Sequence, residues 1–85
     1  MGELTEMQKK SMIDDRLAYM LMRLREEYHF SWEKCYMILT TSKTYKLLCD
    51  SSTDLYYKHK EGLFELLSLE YKKKEEDWFN MLLAL

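Results

Sequence analysis

Proline is absent from this 85-residue chain, and glycine occurs only at Gly2 and Gly62. Proline stops a helix by removing a backbone donor and clashing with the preceding turn, and glycine weakens one through its backbone entropy. The chain therefore carries almost nothing that interrupts a helix once it has started. Punctuation falls instead to serine, threonine and aspartate, whose short polar side chains compete for backbone hydrogen bonds and cap helix ends. The expected fold is all-α, a small bundle of four to five helices with long first and last helices and short helices between. No repeat, low-complexity tract or flexible linker divides it, so 1–85 is read as a single helical domain.

Thr5 with Gln8, and Ser11 with Asp14, each place a capping oxygen three residues before a polar partner. From there Ile13, Leu17, Met20, Leu21, Leu24 and Tyr28 recur at spacings of three and four, which predicts one long first helix with an apolar stripe. Ser31 can cap a second, short helix, with Phe30 placed to staple onto Cys35 and with Trp32, Cys35, Tyr36 and Leu39 facing inward. Thr40, Thr41 and Ser42 end that helix, and a third begins near Ser42 with Tyr45, Leu48 and Cys49 as its buried side. Asp50, Ser51, Ser52 and Thr53 form the clearest loop signal in the chain. Leu55, Tyr56 and Tyr57 follow as a short helix, since β-branched residues are scarce there, with a strand as the alternative that their aromatics also tolerate. From about Glu61 the positions Leu63, Leu66, Leu67, Tyr71, Lys74, Trp78 and Leu82 continue one three-and-four repeat, read as a single long last helix. On that helix Lys72, Lys73 and Lys74 followed by Glu75, Glu76 and Asp77 read as a solvated charged face.

Thirteen basic side chains against fifteen acidic ones leave a net charge of -2, so no bulk field draws in nucleic acid or an anionic membrane. Residues 78–85 are apolar apart from Asn80, but far shorter than the roughly 20 residues that span a bilayer. Residues 1–10 carry Glu3 and Glu6 and no long apolar run, unlike a secretory signal. A cytoplasmic setting with Cys35 and Cys49 as free thiols is the expectation.

Catalytic constellations do not emerge. His29, Cys35, Cys49 and His59 have the atom types of a zinc site, but their gaps are long and irregular where structural zinc uses close pairs. Neither cysteine lies in a motif that lowers a thiol pKa. The acidic pairs Asp14-Asp15, Glu26-Glu27 and Glu75-Glu76 are adjacent, and adjacent helical residues point about 100° apart, so they do not converge on one atom. With two glycines there is no glycine-rich phosphate loop. No cofactor and no metal is expected, and the chain is read as a non-enzyme.

Two segments can carry binding. Residues 31–49 have the outline of a helix-turn-helix reader, in which Ser42, Lys43, Thr44 and Lys46 would face a groove and its phosphates; the segment lacks the glycine common in that turn, and its second helix is short. The apolar C-terminal end points elsewhere: Trp78, Phe79, Met81, Leu82, Leu83 and Leu85 cannot share one narrow helical stripe, so some of them must meet another surface. Trp78, Phe79, Met81, Leu82 and Leu85 are accordingly the candidate partner-binding residues, the partner being another protein or a second copy, since twofold dimers dominate soluble assemblies.

The layout of a long first helix, then His29-Phe30-Ser31-Trp32-Glu33, then Ser42-Lys43-Thr44-Tyr45 through Leu55-Tyr56-Tyr57-Lys58-His59 resembles a group of small uncharacterised bacterial helical proteins over residues 13–70. The resemblance implies a bacterial cytoplasmic binding module and carries no site residue across. The expectation is a non-enzymatic protein-interaction module acting through its apolar C-terminal helix, with a DNA-binding regulator using residues 42–46 as the alternative.

Overall fold

The computed structural model describes residues 4–85; Gly2 and Glu3 of the sequence reading lie outside them. Of the two candidate starts, Thr5 is the one used. Its hydroxyl accepts from the Gln8 N–H at 3.1 Å while the Gln8 side chain accepts from the Thr5 N–H at 2.8 Å, a reciprocal capping box. Helix α1 (Glu6–Tyr28) then runs without a break to His29, which closes it in the left-handed conformation with its N–H on the Arg25 carbonyl. Ser31 caps α2 (Trp32–Thr40), and Ser42 caps α3 (Lys43–Cys49). Two 3₁₀ turns, Ser51–Thr53 and Leu55–Tyr57, lead to α4 (Lys60–Tyr71) and α5 (Glu75–Ala84). Among the described residues there are five α-helices and no strand, as the composition of the chain led one to expect.

Helix α1 lies against α2 and α4, and α3 lies against α1, α2 and α4. Met20 and Leu24 of α1, Cys35 and Leu39 of α2, Leu48 of α3 and Leu63, Phe64 and Leu67 of α4 form the core, with Leu55 and Tyr56 of the second 3₁₀ turn closing one side. At the far end of α1, Tyr28 stacks on Phe30 with ring centroids 5.4 Å apart, Tyr71 meets both rings, and the Tyr28 and Ser68 hydroxyls are 2.6 Å apart. This aromatic cluster ties the end of α1 to the last turns of α4.

Three expectations are corrected. The inner face of α2 is narrower than its aromatics imply: Cys35 and Leu39, four residues apart, are buried, whereas Trp32 and Tyr36 are 50% and 62% exposed. Trp32 instead lies under the Arg25 guanidinium, 4.7 Å from the ring centroid, an arrangement that works at a surface. On α3, Cys49 is exposed and the fully buried positions are Leu48 and Thr44.

The third correction concerns the last helix, which is two helices. Helix α4 stops after Tyr71 because Lys73 turns left-handed at φ 62°. The Lys74 N–H then reaches back to the Leu69 carbonyl and the Lys73 N–H to the Glu70 carbonyl, both at 3.0 Å, the two bonds of a Schellman stop. The charged run is the signal for this break. Lysines at the C-terminal end of one helix and Glu75, Glu76 and Asp77 in the first turn of the next each complement the adjoining helix dipole. Helix α5 therefore folds back beside α4, and its Leu85 packs so closely on Gly62 that a Cβ there would lie 2.8 Å from Leu85 Cδ2. Gly62 is present for that approach, with an ordinary helical backbone.

Candidate functional site

The break brings together the two segments that the sequence marks as candidate sites. Helix α3 starts with two backbone N–H groups that its own capping residue cannot satisfy, and Glu70 of α4 supplies the acceptors. Its Oε2 accepts from the Lys43 N–H at 2.6 Å, and its Oε1 accepts from the Thr44 N–H at 3.0 Å and from the Thr44 hydroxyl at 2.7 Å. A carboxylate at a helix N-terminus is also favoured by the dipole. Thr44 Oγ1 then accepts from the indole Nε1–H of Trp78 at 3.0 Å. The result is a polar chain from α4 through α3 to α5, at the one point where α5 inserts a large side chain: Thr44 is fully buried, and Trp78 is 5% exposed.

Sequence reasoning missed Glu70, which lies 26 residues from Thr44. Its position in the last turns of a helix, just before the lysine run, gave a local pattern no sharper than that of any surface acid. Of the residues proposed for DNA contact, Ser42 and Thr44 turn inward. The Ser42 hydroxyl donates to the Leu39 carbonyl at 2.7 Å and accepts from the Tyr45 N–H at 3.0 Å. They hold α3 in place, which leaves Lys43 and Lys46 on the solvent side.

The candidate partner residues divide as well. Trp78 is the anchor, Met81, Leu82 and Leu85 are half-buried, and Leu82 and Leu85 pack against the core. Phe79 remains 54% exposed and Leu83 83% exposed, on the outer face of α5. Phe79 stands edge-on to Trp78 with centroids 5.1 Å apart, so a packed ring fixes its direction. Between α3 and α5 runs an open groove of about 450 Å³, lined by Lys43, Lys46, Leu47, Trp78, Phe79 and Leu82. A second depression of about 400 Å³ shares Lys43, Trp78 and Phe79 with it and is bounded by Glu70, Lys73 and Glu75. The floor of the first is apolar and its α3 rim is cationic.

Chemically, the junction is saturated: the Thr44 hydroxyl and the Glu70 carboxylate are committed to one another, to backbone and to Trp78. Such a network holds a helix in place. Cys35 is buried in the core and Cys49 is exposed on α3, where its own partial burial raises the thiol pKa against a hydrogen bond from Tyr45 that lowers it. His29 and His59 are exposed caps of α1 and α4. Among the described residues no three His, Cys, Asp or Glu side chains are grouped to hold a metal ion, and no helix is long and apolar enough to cross a membrane. No family model, curated protein or solved structure matches the chain.

Proposed function

We propose that the chain is a non-enzymatic protein-interaction module whose contact surface is the outer face of α5 together with the groove it forms against α3. The observation that carries this reading is the split within α5. Trp78 is locked inside by Thr44, while Phe79 and Leu83 stay exposed beside an apolar floor. With Trp78 fixed inward, helix geometry turns Phe79 and Leu83 outward, and two large apolar side chains one turn apart on an exposed face form the centre of a contact surface. The Lys43 and Lys46 rim favours an occupant that is an apolar helix flanked by acids. Helix α5 is itself such a helix, with Glu75, Glu76 and Asp77 leading into Phe79 and Leu83, so a second copy is the occupant this surface fits. On the resemblance noted above, the setting would be a bacterial cytoplasm.

Light scattering over a wide concentration range tests this. Reversible dimers that Phe79→Asp and Leu83→Asp dissociate, with the circular dichroism of the monomer unchanged, are the expected result. Monomers at every concentration, indifferent to both substitutions, would refute self-docking. The DNA-reading alternative retains Lys43 and Lys46 alone and requires salt-sensitive binding that Lys43→Ala and Lys46→Ala weaken.

A further inference from the structure

The turn between α4 and α5 contains neither glycine nor proline, yet Lys73 occupies the left-handed position that a Schellman stop ordinarily gives to glycine. A Cβ makes that conformation costly. On both sides of the turn Leu63, Leu67, Tyr71, Lys74, Trp78 and Leu82 keep a three-and-four spacing, so ordinary helical angles at Lys72, Lys73 and Lys74 would merge α4 and α5 into one straight amphipathic helix. Across residues 60–84 that helix would be about 37 Å long and would carry Trp78 away from its own Thr44. Both ends of the broken contact would then need a new partner.

We infer that this turn is a hinge, and that two copies open it and exchange α5, Trp78 of each filling the Thr44 site of the other. The inference rests on the reading that α5 carries self-association but uses other contacts than surface docking: the exchanged pair is held by Trp78 in the other copy's Thr44 site and leaves Phe79 and Leu83 exposed. Charge identifies the second copy as the occupant. The run Lys72, Lys73, Lys74, Glu75, Glu76, Asp77 reverses sign about its midpoint, so two straightened helices crossing antiparallel there bring the lysine end of each beside the acid end of the other. None of these six side chains takes part in an ion pair within the described chain. Exchange keeps every contact that α5 makes in the monomer and relieves a left-handed lysine in each copy. Its cost is the entropy of association, so the exchanged dimer belongs to high protein concentration.

The test compares residue 73 variants by light scattering of the full chain, under reductant because Cys49 is exposed. Each dimer opens two hinges, so Lys73→Gly, which relaxes the closed turn, should lower the association constant by roughly thirtyfold or more. Lys73→Val, which is strained in the closed turn, should raise it by roughly tenfold. In an equimolar mixture of isotope-labelled and unlabelled chains, nuclear Overhauser contacts between the Trp78 indole and the Thr44 methyl should appear between chains. A dimer insensitive to residue 73 but lost with Phe79→Asp overturns the exchange while leaving the surface-docking function standing. Monomers at all concentrations, with Lys73→Val included, overturn both.

Discussion

Replacing Thr44 by valine keeps the shape of a fully buried side chain and removes only its hydroxyl. Two groups feel the loss. The Trp78 Nε1–H, enclosed with its ring, loses its acceptor at 3.0 Å, and Glu70 Oε1 loses the shorter of its two donors while keeping the Thr44 N–H. An orphaned buried donor costs about 1–3 kcal/mol, and the lost charge-assisted bond adds to it, so Thr44→Val should destabilise the fold by about 2–3 kcal/mol. For a domain of this size that corresponds to a fall in Tm of roughly 10–20 °C. Urea unfolding followed by circular dichroism measures it. The decisive step is the double-mutant cycle with Trp78→Phe, which removes the donor as well. If the bond is what α5 relies on, the second substitution costs about 1–2 kcal/mol less in the valine background than in the parent. Additive losses, or a Thr44→Val loss below about 0.5 kcal/mol, would refute the polar link between α3 and α5.

Three further outcomes are expected. Lys73→Gly should stabilise the monomer by about 1 kcal/mol, since glycine carries no Cβ into the left-handed turn; thermal unfolding at low protein concentration checks it. Asp50 should titrate below the ordinary carboxylate range, because the Ser52 hydroxyl and N–H both donate to it; its folded pKa is depressed, so its contribution is present above the unfolded value and is lost as pH falls through the folded one. A carbon-detected pH titration shows this, and Ser52→Ala should move the midpoint upward. Cys49 should alkylate more slowly than an unperturbed thiol at mildly alkaline pH, its rate profile shifted upward by burial, and Tyr45→Phe should shift it further by removing the bond that favours the thiolate.

How far the sequence carries depends on how local each cause is. Thr5, Ser31 and Ser42 act within three residues of themselves, and the helices they start are all present. The apolar spacing of α1 was equally legible, since a 23-residue helix averages over any single position. Short α2 gave no such average: the size of Trp32 and Tyr36 suggested burial, and tertiary placement at the edge of the bundle prevailed. At Lys72, Lys73 and Lys74 the apolar repeat outweighed a charge pattern that should have been decisive, because lysines followed at once by acids suit two helix ends better than one helix middle. Glu70, Thr44 and Trp78 illustrate the remaining gap. Each looks ordinary in its own segment, and their roles arise only when three helices meet. The exposure of Phe79 and Leu83 follows from that meeting too, because the anchor sets which way the rest of α5 faces.

The two tryptophans thus occupy opposite environments, one sealed against α3 and one half in water beneath a guanidinium. An added quencher of indole emission reaches Trp32 at once but reaches Trp78 only in molecules whose terminal helix has swung free. The protein therefore carries its own optical gauge of that opening, readable in the unlabelled chain at any dilution.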